Sequence, residues 1–309
     1  MASNRTARFL FITFLINFSM VGLFVAFGGR LDSTAGFVLA TVYMFIPTLS
    51  VLIVEKLIHK EKIKKPLGIS FRINRWFFVA WLVPPLVAGT AFGISLLFPG
   101  VSYSPEMEGI LQKYAGQLTP EQLEQMRSAA ETMPVHPFWI TLLEGLVAGL
   151  TINAVAGFGE ELGWRGFLPR RLQHMSFFKV SLLIGFIWGV WHSPLILLGH
   201  NYPQHPQFGV LMMTIWCMLL TPLFLYVRLK SGSVIAAAIM HGTLNGTAGA
   251  AIILVRGGSD LSIGVTGLAG FIALAIFIGL FFIYDSQIAK EKIMRGTIGG
   301  ALDSQESSP

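Results

Sequence analysis

Charge is the scarcest property of this chain. Asp, Glu, Lys and Arg make up 12% of its 309 residues, where ordinary soluble domains carry about 25%. Most of the chain is therefore not built to face water. Cysteine is nearly absent. The single Cys217 excludes an intramolecular disulfide, and its mid-span position suits packing better than nucleophilic chemistry. No A-x-A cleavage site follows the first apolar run, which at Phe9–Phe27 is long for a signal-peptide core; it reads as a retained first span. No internal repeat is evident, and no soluble module interrupts the apolar pattern. The longest stretch outside the spans is 99–137.

What remains is apolar. Hydrophobic residues make up 53% of the chain, gathered into eight segments near the ~20 residues a bilayer core requires: Phe9–Phe27, Gly36–Val54, Trp76–Phe98, Phe138–Phe158, Val180–Gly199, Phe208–Val227, Ser233–Val255 and Ser262–Tyr284. Backbone groups in lipid must be satisfied within the segment, so these read as helices. The expected fold is all-α: a polytopic membrane protein of about eight transmembrane helices around a polar intramembrane cavity. Residues 1–295 form one membrane domain, with 296–309 a polar, disordered tail.

Basic residues set the orientation. Lys56, Lys60, Lys62, Lys64, Lys65, Arg72 and Arg75 crowd the loop after the second span, which should be cytoplasmic. Eight spans then place both termini in the cytoplasm. Of the 22 Lys and Arg residues, only Arg30, Lys113, Arg127 and Arg256 fall on the other side. The net charge of +6 is thus a topology signal, with no nucleic-acid partner implied. Within 99–137, "TPEQLEQM" predicts a short connector helix: Thr119 at the N-cap, Pro120 at the first position and Gln122 at capping-box spacing. The basic and aromatic stretch "FLPRRLQHMSFFK" is expected along the inner interface.

Polar groups inside spans carry the functional question, because each costs about 2.5–3.5 kcal/mol on insertion scales. Span four holds Glu144 and Asn153 and ends in "GFGEELGWRGF", with Glu160, Glu161 and Arg165. Span five holds His192 in "WGVWHSP". Span seven holds His241 and Asn245 in "HGTLN". On a helix, His241 and Asn245 share a face, as do Asn153 and Glu160, while Glu161 can pair with Arg165. Glu160 points about 100° away from Glu161, so one acid can be held while the other looks into a cavity. Pro194 should kink span five near His192. Three small-residue pairs, Gly145/Gly149, Gly185/Gly189 and Gly242/Gly246, should let these helices approach closely. For His192 to meet Glu160, span four must continue to about Trp164, or span five must tilt or kink. Glu144 and Asp285 lie near opposite surfaces and are set aside. No second intramembrane aspartate accompanies "YD" at 284–285, and "SGS" at 231–233 reads as a turn.

Taken together, "EELGWR" at 160–165, "WGVWH" at 188–192 and "HGTLN" at 241–245 resemble the EExxxR, FxxxH and HxxxN motifs of the CPBP family, the CAAX proteases and bacteriocin-processing enzymes, type II CAAX prenyl endopeptidase-like. The motif core covers about 138–255. One departure is Trp188 where the motif has Phe. The resemblance implies an intramembrane endopeptidase acting on a peptide or membrane-protein substrate, lipid-modified ones among them, from a multi-pass position in the cell membrane. It also implies roles: Glu160 as the base that activates water, His192 holding that water, His241 and Asn245 donating to the oxyanion, and Glu161 and Arg165 orienting the site. Such chemistry needs no cofactor. The alternative is a zinc metalloprotease ligated by Glu160, His192 and His241, although HExxH is absent and Asn is a poor zinc ligand. A non-catalytic membrane scaffold or immunity protein, and a transporter, are the readings from other classes.

Overall fold

In the computed structural model, which describes residues 2–109, 111 and 118–307, nearly all regular structure is helical. Lys113, one of the four basic exceptions, lies outside the described residues. Five helices are long and apolar enough to cross a membrane. They are α1 (Ala2–Ala26), α2 (Thr34–Val51, prolonged by a π turn over Leu52–Ile58), α3 (Arg75–Ser95), α10 (Pro206–Ser231) and α13 (Leu268–Gln287). The intervening short helices are α4 (Pro120–Thr132), α5 (Pro137–Leu150), α6 (Ile152–Glu161), α7 (Leu168–Arg171), α8 (Phe177–Trp191) and α9 (Ser193–Leu197). Beyond α10 come α11 (Val234–Thr247) and α12 (Ala250–Ile253), and after α13 the terminal α14 (Gly299–Ser307). Large apolar side chains such as Phe37, Val147 and Ile152 stand on the outer surface, where lipid rather than water suits them. The chain is a multi-pass membrane protein.

Of the eight expected spans, five are continuous helices of spanning length among the described residues. The fourth is a pair, α5 and α6–α7, bent by 55° at Thr151; counting it as one span gives six. Thr151 Oγ1 bonds Val147 O at 2.9 Å, a back-bond that bends helices. The fifth and seventh are shorter than the sequence suggested. Pro194 splits the fifth into α8 and α9, and the seventh ends at Thr247 before α12 and a two-residue strand. That strand, β2 (Val255–Arg256), pairs antiparallel with β1 (Ser102–Tyr103), fastening the start of the 99–137 connector to the end of α12. Within the connector, the capping box forms as its sequence requires: the Thr119 amide donates to Gln122 Oε1 at 2.9 Å and the Gln122 amide to Thr119 Oγ1 at 3.3 Å.

At the other end, composition suggested a disordered tail, but residues 299–307 are helical. Gln305 accepts from Arg228 and donates to Leu229 O, both at 2.7 Å. Asp285 is buried and accepts from the amides of Ile293 and Met294 and from Tyr226. It is an anchor for the turn after α13.

At the centre, α10 is the most enclosed of the long helices and packs along α8, while α11 packs against α5, α6 and α3. The three small-residue pairs lie at these contacts. A Cβ on Gly145 would sit 2.3 Å from Gly246 O, one on Gly242 2.5 Å from Ala154 N, and one on Gly189 2.4 Å from Thr214 Cα. Each of those neighbours is backbone, which yields little. Gly242→Ala should therefore lower stability by about 1–3 kcal/mol, measured by unfolding in detergent. Gly93→Ala on α3, where an added Cβ meets nothing within 4 Å, should not.

Candidate active site

The helix carrying the paired acids does not stop at the end of α6. It widens into a π turn over Leu162–Phe167 and resumes as α7, so span four runs past Trp164, as the sequence led one to expect. Glu160 and Glu161 are the last residues of α6, and Arg165 lies within the π turn. All three are buried, with relative exposures of 3%, 0% and 1%.

The two acids have different company. Glu161 Oε1 accepts from Arg165 at 3.0 Å and lies 2.8 Å from His241 Nδ1. Arg165 also donates to Thr221 Oγ1 on α10 at 3.2 Å, and the Thr221 hydroxyl donates in turn to Cys217 O. The guanidinium is stacked between two rings, 4.2 Å from the centre of Trp188 and 4.7 Å from that of Phe224. Glu160 turns the other way. Its Oε2 accepts from Trp188 Nε1 at 2.7 Å, and its Oε1 stands 3.9 Å from His241 Nε2. The hundred-degree offset of neighbouring helical residues thus gives one acid an ion pair and the other an open oxygen.

His241 is held between them. Its Nδ1 faces a carboxylate oxygen, which only accepts, so that nitrogen carries a proton. Its Nε2 then faces Glu160. Asn153 on α6 donates to Gly242 O at 3.3 Å and fixes α11 beside this contact. Asn245, one turn further along α11, is exposed and makes no hydrogen bond among the described residues.

His192 occupies the break between α8 and α9. Pro194 lacks an amide proton and disrupts the ladder, and three carbonyls nearby are each taken by a side chain. Trp188 O receives His192 Nδ1 at 2.8 Å, Val190 O receives Ser193 Oγ, and Trp191 O receives the Tyr43 hydroxyl. Because a carbonyl only accepts, His192 Nδ1 is the protonated nitrogen, and in the neutral ring Nε2 is the acceptor. Cys217 Sγ also lies 3.9 Å from Nδ1. Behind this layer Trp191 Nε1 donates to Asn17 Oδ1 at 2.8 Å, tying α1 to α8.

The structure brings five of the six candidates, Glu160, Glu161, Arg165, His192 and His241, into one buried cluster around Trp188, whose ring centre is 5.5 Å from that of His192 and 5.7 Å from that of His241. Asn245 sits at its margin. Sequence reasoning missed two contributors. Trp188 was valued as an aromatic and not as a donor, although an indole N–H one helical turn before a histidine is a visible signal. Thr221 was passed over although it is a hydroxyl in the middle of a span. A zinc ion would need Glu160, His192 and His241 to converge, but among the described residues no three His, Cys, Asp or Glu side chains are gathered as ligands.

Two comparisons bear on the cluster. Residues 141–247 match a family model described as type II CAAX prenyl endopeptidase Rce1-like, a stretch that contains all six candidates. The chain is also similar to CAAX prenyl protease 2 of Methanococcus maripaludis, with 33% identity over 144 residues, covering 43% of this chain and 48% of that protein. The match thus spans about half the length of that relative.

The buried pair carries a direct energetic test. Arg165→Met leaves Glu161 an uncompensated buried charge and should cost about 3–5 kcal/mol of unfolding free energy. Glu161→Gln should also destabilise, and the double variant should recover roughly 1–3 kcal/mol relative to the sum, read from a double-mutant cycle in detergent.

Proposed function

We propose, from the match of residues 141–247 to the Rce1-like type II CAAX prenyl endopeptidase model, that the chain is an intramembrane endopeptidase whose nucleophile is a water activated by Glu160. The observation that carries the reading is the 3.9 Å gap between Glu160 Oε1 and His241 Nε2. One water can bridge two polar groups at that separation, and it would sit against the carboxylate oxygen that Trp188 leaves open.

The steps follow from the groups present. Glu160 takes a proton from the water as its oxygen adds to the substrate carbonyl carbon. The carbonyl π bond breaks and leaves an oxyanion. Asn245, whose amide has no partner among the described residues, donates to that oxyanion. His241 can do so from Nε2 when its ring is doubly protonated, since Nδ1 already gives its proton to Glu161. Donors fixed before the reaction are worth several kcal/mol in other proteases. The proton on Glu160 then passes to the departing amine nitrogen as the C–N bond breaks and the oxyanion re-forms the carbonyl, yielding a carboxylic acid and an amine; the acid then loses its proton to the regenerated Glu160 carboxylate or to solvent. His192 offers the lone pair on Nε2 to the incoming water. Arg165 and Glu161 hold the ring of His241 and do not touch substrate. No step calls on a metal.

The substrate class that suits a site on buried helices is a peptide or membrane protein reaching into the bilayer, lipid-modified substrates included. The basic loop after α2 argues for cytoplasmic termini, and the cell membrane is the proposed location.

Glu160→Gln should lower turnover by about 10²–10⁴-fold while the chain remains folded in the membrane. Proteomics of membranes carrying the native or the Gln form should show peptides released only by the native form; equal peptide sets would sink the proposal. Turnover should survive exhaustive chelation, with metal content of the purified protein measured alongside.

A further inference from the structure

Trp188 holds the position at which the resembled motif has phenylalanine, and in this chain it does what phenylalanine is unable to do. Its indole N–H donates to Glu160 Oε2 at 2.7 Å, the one hydrogen bond that Glu160's side chain receives among the described residues. A buried carboxylate with no donor is costly, because nothing replaces the water it has lost. Bonds to an ionised acceptor are also roughly twice as strong as neutral ones. The ring that donates is itself placed under a cation: the Arg165 guanidinium lies 4.2 Å from its centre. Positive charge over an indole face draws electron density from the ring and strengthens the N–H as a donor, in addition to the ordinary attraction between cation and ring.

We infer that Trp188 is a positioning residue for Glu160, fixing through its N–H which carboxylate oxygen is left to take a proton from the attacking water. With Oε2 occupied by the indole, Oε1 is the oxygen that faces His241 Nε2. The same side chain joins the two halves of the site, since Arg165 binds Glu161 at 3.0 Å and stacks on the ring that binds Glu160. Each acid thus has its own donor, and the two donors lie in contact. The inference rests on the proposed peptidase reading for its kinetic consequence, but the hydrogen bond itself is testable without turnover.

The structural test uses the indole N–H signals of the full chain, labelled with ¹⁵N-tryptophan in detergent. The chain has seven tryptophans, and Trp188 is assigned by the signal lost in Trp188→Phe. Its proton should lie downfield and should move upfield in Glu160→Gln. A signal that does not move in that variant overturns the inference, whatever the chain cleaves.

The kinetic test replaces Trp188 by benzothienylalanine, which keeps the bicyclic shape and puts sulfur where the N–H was. kcat for peptide cleavage should fall about tenfold with KM and melting temperature unchanged within error, and 5-fluorotryptophan, which keeps the N–H, should restore kcat to within twofold. An unchanged kcat in the sulfur isostere, or a kcat loss that tracks a loss of melting temperature, would show that the ring serves packing alone. A native chain without turnover would instead defeat the peptidase reading and leave the resonance experiment to decide this one.

Discussion

Two carboxylates placed side by side inside an apolar helix bundle set the terms for everything around them. An ion taken from water into a dry interior loses several kcal/mol of solvation, and only close, well-aligned partners return it. Glu161 finds an arginine four residues on and an imidazole from another helix. Glu160 finds an indole. Those partners come from three places far apart in sequence, the π turn after α6, α8 and α11. The bundle must therefore hold α6, α8, α10 and α11 within side-chain reach of one another. The glycine contacts between α5 and α11, α6 and α11, and α8 and α10 are what permits that distance.

The irregular backbone is concentrated where the chemistry sits. Thr151 bends the helix that carries the acids, a π turn holds Arg165, and Pro194 breaks the helix that carries His192. Non-helical backbone at membrane depth survives only where its polar groups are satisfied inside the protein. At the His192 break this condition is met carbonyl by carbonyl, through His192, Ser193 and Tyr43. One of these bonds settles the tautomer of His192, so the break orients the imidazole as well as accommodating the proline.

Much of this was legible in the sequence because the rules involved are local. Charge depletion, apolar run lengths, the i and i+4 spacing of Glu161 with Arg165, the small-residue pairs and the Thr119–Gln122 capping box all depend on residues a few positions apart. Other features depended on tertiary partners. The bend at Thr151 is not announced by its letter, since Thr214 and Thr221 make the same bond to the carbonyl four residues back within the continuous helix α10. The break of the fifth span at Pro194 was expected, but the end of the seventh at Thr247 is marked by no proline in the sequence. The helical 299–307 segment is polar in composition and holds its place through Gln305 and Arg228, a pairing that no periodicity announces. Trp188 shows the same limit at the site: its size could be read from its letter, but its N–H acquired meaning only when Glu160 appeared opposite.

The π turn also bears on how this stretch can vary over time. A π turn contains one residue more than the α-helical ladder would accept. Losing a single residue among Leu162, Gly163 and Trp164 would let the ladder close, but it would bring the arginine to three positions from Glu161 and turn it by about 100°, away from Thr221 and the faces of Trp188 and Phe224. Length at this point is thus constrained more tightly than identity, and descendants of this gene should exchange letters here far more readily than they gain or drop them.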